Sequence, residues 1–484
     1  ACQGTLAQVM YRIQPLGTLN GCDPEVLAFN DADQATGDIC APHSTYHAFV
    51  WKHDGTPLVD LGPLEAGSIS QGTSINASGV VTGYAQDSTG EFAFLSSGDG
   101  TPMKRIYDTF GGNQLDATAI NDRAQLTGAA STASDLYHAF VWKNDGSMPV
   151  DLGTLGGDMS VGIDINASGQ VAGYADLPGS ATHHAFIWKN DRTPIHDLGT
   201  LGGPSSQALF INASGQVAGT STVPGRATNY HAVFWRNDGT PMQDLGTLGG
   251  TSSLPVALND AGQVAGTSFN QREATAFVWL NNGTRIKKLG DLGGGGSYAN
   301  DLNASGQVTG RAILANTRSH AFLWRNDGTK MQDLNKLLDP RDPLKRYVTL
   351  TWGQFINDHG NIIAIGEDAR TGRASYYLLH GTVLKLSPRS LAFGNQPINT
   401  SAAKAVTVTN TGSEVVPFTG TALTGPAHGQ YTATDNCGAS LAGHASCIIQ
   451  VNFRPTTKGA KYGFLKVNGG EGGLLLVHLA GTGT

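Results

Sequence analysis

Apolar and polar positions recur in blocks along the first three quarters of the chain. His47-Ala48-Phe49-Val50-Trp51 returns at 138–142, 184–188, 231–235 and 320–324, with a weaker copy at 275–279. A second refrain, Ile165-Asn166-Ala167-Ser168-Gly169-Gln170-Val171-Ala172-Gly173, alternates with a third, Asp151-Leu152-Gly153-Thr154-Leu155-Gly156-Gly157. The turn asparagine falls at Asn30, Asn76, Asn121, Asn166, Asn212, Asn259, Asn303 and Asn357, which sets eight units of about 45 residues. So short a unit cannot bury both of its faces alone and must stack on its neighbours.

Each unit predicts four short strands. In the fourth, 161–165 alternates, Asn166-Ala167-Ser168-Gly169 supplies a tight turn, and 170–174 returns. The third strand is 184–188, a turn begins at Asn190-Asp191, and 194–198 is the fourth strand. Four-stranded units of this length, repeated this often, predict a β-propeller of eight blades, or seven if a terminal unit is irregular. A linear β-solenoid fits less well, because its rungs need shorter repeats. His, Phe and Trp of the third strand share one face while Ala and Val share the other, so both faces are buried between neighbouring blades. Trp51, Trp142, Trp188, Trp235, Trp279 and Trp324 are expected to supply much of that adhesion.

Residues 11–19 read as a fourth strand without its first three. They are expected to complete the last blade, beside a degenerate third strand at 375–379, with 382–386 competing for the place. The last unit is stretched by 337–343, whose two prolines argue for a loop. After His380 the refrain stops, and about seven alternating strands in a hundred residues predict an immunoglobulin-like β-sandwich. The expected domains are a tail at 1–10, the propeller at 11–384 and the sandwich at 385–484.

Charged residues make up only 14% of the chain and glycine is abundant at 65 residues, as in secreted all-β proteins. The net charge of −7, without a Lys/Arg cluster, argues against a nucleic-acid partner. No apolar run is long enough to span a bilayer. The chain begins at Ala1 without methionine, which suggests a processed N-terminus and a removed signal peptide. Five cysteines without a C-x-x-C motif disfavour zinc ribbons and thioredoxin-like chemistry. Their spacing predicts disulfides Cys22–Cys40 and Cys437–Cys447, with Cys2 left over, and hence an oxidising compartment.

The His-Ala-Phe refrain, with the Asp-Leu-Asn-Lys-Leu-Leu-Asp-Pro stretch at 333–340, resembles the HAF family of probable extracellular repeats over nearly all of 16–379. That resemblance implies export and is almost silent on activity. The segment from Leu391-Ala392-Phe393-Gly394 through Phe453-Arg454-Pro455 to Ala480-Gly481-Thr482-Gly483 resembles bacterial choice-of-anchor D modules, relatives of the ASH and MSP-like immunoglobulin folds. The resemblance places the Cys437 and Cys447 pair where such modules have one, and implies a spacer or surface appendage.

His47, His138, His184, His231 and His320 hold one repeat position, so a hydrogen bond inside each blade is preferred over a ring of metal ligands. Asn-Ala-Ser-Gly at Asn76, Asn166, Asn212 and Asn303, and Asn399-Thr400-Ser401, fit the glycosylation pattern, but the turn explains the first four. The Asn-Asp-Gly-Thr turns offer too few oxygens for calcium, and the Gly-rich refrain lacks the features of a phosphate loop. No catalytic set, metal site or cofactor is expected, and no carboxylate pair is seen to break the symmetry of the repeats. Unit eight departs most from the refrain, at Asp339, Arg341, Asp342, Arg346, Tyr347, Trp352 and His359.

The tight turns close one rim, while the longer connections at 176–182, 222–228 and 270–274 share the other with the Gly-Gly loops. Tyr46, Tyr137, His183 and Tyr230 stand at the ends of these loops and suit sugar faces or apolar ligands. The expected function is a secreted, non-catalytic binding or scaffold protein for an extracellular polymer, glycan or protein. The alternatives are a polysaccharide lyase or hydrolase, and a self-assembling subunit of a surface layer or fibre.

Overall fold

The structure is a computed structural model. It describes residues 11–19, 21–41, 45–62, 68–106, 110–179, 182–381, 384–388, 390–410, 415–469 and 474–484. The tail at 1–10, with Cys2, lies outside the described residues, as do parts of the stretches 176–182 and 382–386.

Eight four-stranded antiparallel sheets follow one another, and each is a blade. Blades one to seven span 25–60, 69–106, 111–151, 160–197, 206–246, 252–288 and 293–333. Blade eight takes three strands from 348–381, and its outermost neighbour in the sheet is Tyr11–Pro15. The eight-bladed count therefore holds, and the chain's first described strand completes the last sheet. The described part of its competitor at 382–386 belongs elsewhere, since Leu384–Ser387 pairs with Ala402–Asn410 in the sandwich.

Blade four shows where the strand boundaries depart from the alternation. The first strand is Ser160–Ile165, with a bulge between Gly162 and Asp164 that interrupts strict alternation. The fourth strand shrinks to His196–Asp197, because only two residues find ladder partners on the third. Gly169 takes the turn's positive φ of +76°, which a side chain adopts only under strain.

Cores form between blades rather than within them. Ala139 and Val141 of blade three pack with Phe186 and Trp188 of blade four, and Ala232 and Phe234 of blade five with Phe277 and Trp279 of blade six. The Phe234 and Trp279 rings lie 4.9 Å apart. All six refrain tryptophans are buried, so each loses most of its water-exposed ring on stacking, a gain of about 2–3 kcal/mol apiece.

The chain divides into two compact units. One comprises Gln14–Lys336 with Leu344–Leu378; the other comprises Leu379–Thr484 with Leu337–Pro343 and the stretch ending at Ile13. The second holds a sandwich of a four-stranded and a five-stranded sheet. Val406, Val408, Ile449, Val451, Phe453, Leu465 and Val467 fill its interior. The Cys437–Cys447 and Cys22–Cys40 disulfides are both present. Such bonds persist in an oxidising compartment. Among the described residues no helix is long and apolar enough to cross a membrane.

Candidate functional site

Three sets of repeated polar residues are consumed in holding the wheel together. The first is a closed ring of asparagines. Each side-chain amide donates to the backbone carbonyl of the next blade's asparagine, from Asn30 to Asn76 (2.8 Å) through to Asn357, which reaches back to Asn30 (3.3 Å). The side-chain oxygen meanwhile accepts from its own turn, as Asn166 does from the Ser168 and Gln170 amides. In Asn166, Asn212 and Asn303 a neighbouring glutamine takes the second amide hydrogen. With all eight only 2–8% exposed, no acceptor for a glycan remains at Asn76, Asn166, Asn212 or Asn303; of the five candidates only Asn399 is exposed.

The second set joins two refrains that look independent in sequence. His47, His138, His184, His231 and His320 each place Nδ1 2.9–3.0 Å from an aspartate on the fourth strand of the same blade: Asp60, Asp151, Asp197, Asp244 and Asp333. These are the aspartates of the Asp-Leu-Gly and Asp-Leu-Asn stretches. Blade two replaces both partners at once, with Arg105 lying 4.1 Å over the Phe92 ring. The third set is a buried serine at the start of a blade, such as Ser206. It accepts from Ala185 N in the preceding blade and donates to Gly199 O in the connection that follows that blade.

What these clasps leave free lies mainly on the other rim. Tyr46, Tyr137, His183 and Tyr230 each stand one residue before the repeat histidine in the third strands of blades one, three, four and five, and Glu91, Ala274 and Ser319 hold the equivalent place in blades two, six and seven. The four expected residues do not meet one another; they are spread around the wheel, two of them reaching into the cleft toward the next blade. Tyr46 Oη lies 3.4 Å from Tyr84 Oη. Gln207 donates to His183 Nε2 (3.0 Å), whose burial holds its pKa below the ordinary value. Tyr137 donates to Gln114 Oε1 within its own blade, and Tyr230 is the most open, at 38%.

Between blades two and three the structure supplies a symmetry-breaking carboxylate pair that no stretch of sequence displays. Asp116 is hydrogen-bonded to Glu91, and burial followed by repulsion from Glu91 pushes its pKa up to about 7. Its Oδ1 is buried without a hydrogen-bond partner among the described residues. Asp38, which accepts from Gln71 at 2.5 Å, and Tyr84 extend this acidic, tyrosine-lined arc into blade one. The signal missed was positional: Glu91 occupies the slot where four of its siblings carry Tyr or His.

The unit-eight residues divide. Asp339 is paired with Arg341, and Asp342 accepts from Ile13 N (2.8 Å). Arg346 and Arg370 both lie over the Tyr347 ring. His359 sits in the Asn357 turn of the asparagine rim. Trp352, midway along the first strand of its blade, donates to Asn300 Oδ1 (2.8 Å) in the neighbouring blade. On the asparagine rim the axis holds a cavity of about 360 Å³, floored by Ile75, Ile120, Ile165 and Leu302 and edged by Asp31, Asp122 and Asp358. No group of three or more His, Cys, Asp or Glu among the described residues is arranged to hold a metal ion.

No protein-family model matches the chain, and neither does any curated protein. Among solved structures it is similar to TolB from Acinetobacter baumannii, with 11% identity and a TM-score of 0.34 over 52% of this chain and 65% of that one. It is also similar to a mutant puromycin hydrolase complexed with PGG, at 14% identity and a TM-score of 0.42 over 72% of this chain and 58% of that one. The chain thus spans less than two thirds of either. An ASH / PapD-like domain of human CEP192 matches 21% of this chain over 86% of its own length, at 14% identity and a TM-score of 0.17.

Proposed function

We propose that this is a non-catalytic binding or scaffold protein of an extracellular setting, with the sandwich as spacer. Its propeller presents the rim of longer loops to a polymer, glycan or protein. The repeats are read as HAF-type and the sandwich as choice-of-anchor D-type. One contrast carries the proposal. On the asparagine rim the repeated residue is kept in all eight blades and spent on the ring, while equivalent positions of the other rim diverge into Tyr46, Glu91, Tyr137, His183 and Tyr230. Divergence among positions with one backbone geometry suits recognition of an asymmetric ligand. Phenolic and imidazole rings beside amides and carboxyls suit sugars or protein loops.

The test is a glycan array and pull-down against extracellular polymers, repeated with Tyr46→Ala/Tyr137→Ala/Tyr230→Ala. Loss of binding at an unchanged melting temperature supports the reading; retained binding on that triple variant overturns the assignment of the rim.

The Glu91–Asp116 pair favours a second reading, a polysaccharide-active enzyme with Asp116 as a proton donor near neutral pH. Directly bonded carboxyls sit closer than the roughly 5 Å or more that two-carboxylate glycoside hydrolysis uses, so this ranks second. Product release from a polysaccharide panel that vanishes in Glu91→Gln and Asp116→Asn would reverse the order.

A further inference from the structure

Arg311 leaves its strand at the position that carries Tyr84 in blade two and Tyr174 in blade four. Its guanidinium carbon lies 4.5 Å from the centres of two rings, Tyr298 in its own blade and Trp352 in the next. Stacking on both sides fixes the plane of the group. Yet the Arg311 side chain makes no hydrogen bond or ion pair with any described residue, and its Nε is buried without a partner. A guanidinium held flat with its donors unspent is a fork ready for a planar anion. The neighbours add to that polarity. Trp352 donates to Asn300, and Asn300 donates to Gln354 Oε1 (2.9 Å), which leaves the Gln354 amide as a further donor. Asp301, the acid next along the strand, has both oxygens occupied by the Leu302 and Ile356 amides.

We infer that Arg311, framed by Tyr298 and Trp352 and helped by Gln354, binds the carboxylate of an acidic sugar unit. The inference rests on the reading of this rim as a glycan-binding face. A uronate chain would seat on the blade seven and eight side, away from the carboxyls of Asp38, Glu91 and Asp116, which repel it. Two parallel N–H donors match the two oxygens of a carboxylate in one plane.

Calorimetric titration with a short oligogalacturonate, a neutral galacto-oligosaccharide of equal length and its sulfated form tests this. The expected order is uronate first, with affinity falling as salt rises. Arg311→Met should weaken uronate binding by about tenfold or more, and Arg311→Lys by less. Should Arg311→Met misfold, Gln354→Glu supplies the test, since a carboxylate on the Asn300 that Trp352 also holds adds negative charge to this cleft and should weaken uronate binding. Uronate binding unchanged in folded Arg311→Met or Gln354→Glu overturns the inference, as does equal or tighter binding of the neutral or sulfated oligomer. If these variants have no effect while the triple tyrosine variant loses a glycan, the Arg311 site falls and the rim reading stands.

Discussion

The side-chain amide of Asn357 donates to the backbone carbonyl of Asn30, 327 residues earlier in sequence and 3.3 Å away. That bond makes blade eight the neighbour of blade one. Asp358 N donates to Asp31 Oδ1 (2.8 Å) beside it, and the Asn357 and Asn361 amides both donate to Asp33, so the join is stitched several times. A row of seven such bonds would hold an open stack; the eighth makes a circle.

Asn357→Ala removes the closing donor and the oxygen that caps the Asn361 amide. Buried groups left unpaired cost about 1–3 kcal/mol each. Guanidinium melts should show a loss of that order for Asn357→Ala and a similar one for Asn166→Ala in mid-ring. An unchanged midpoint in both would mean that the ring contributes nothing to stability.

The His–Asp pairs make a different forecast, because blade two carries a natural double replacement. In the aspartate's place stands Arg105, and in the histidine's stands Phe92. His184→Phe alone leaves Asp197 without its partner, and Asp197→Arg alone sets a cation against the His184 ring. The double variant should be more stable than the sum of the two singles predicts, by about 0.5–1 kcal/mol. A double-mutant cycle that closes additively would refute the exchange.

Asp301 gives the wheel a pH dependence of known sign. Burial, aided by repulsion from Asp358 and Asp31, pushes its carboxyl up to about 7 in the folded chain, from 3.8. The folded state then binds more protons than the unfolded one between those values, so stability falls as pH rises through that window and levels above it. Asp301→Asn keeps the shape and one of the two acceptors while removing the titration. Its melting temperature should decline less between pH 4 and pH 7 than that of the parent; parallel curves would assign the slope to other groups.

How far the sequence reached follows from what each refrain does. The blade count and the last-blade strand were legible, because the Asn turn and the His-Ala-Phe strand repeat with a fixed period and the 11–19 stretch matches a strand without partners. The ring of asparagine bonds was not legible: a turn already accounts for Asn and Gly, and its cross-blade half appears only when blades are laid side by side. For His47 a hydrogen bond inside the blade was expected but its partner was not, because Asp60 belongs to another refrain 13 residues away and meets it only when the third and fourth strands pair. Glu91 and Asp116 come from different strands of different blades, so no linear motif joins them. Short fourth strands such as His196–Asp197 carry too few residues for a period to register.

The sandwich offers a last forecast, since its interior is its own. Cys437 and Cys447 close a loop of 10 residues, and both sulfurs belong to the apolar interior with Val408 and Ile449. In the chain-entropy picture the bond stabilises the fold by about 2–3 kcal/mol. Cys437→Ser/Cys447→Ser would also bury two hydroxyls in place of that bond, so Cys437→Ala/Cys447→Ala is the cleaner variant. In a calorimetric scan the alanine pair should lower the melting transition that cleavage products assign to 385–484. A drop confined to the propeller's transition, or none, would mean that the disulfide does not stabilise the sandwich.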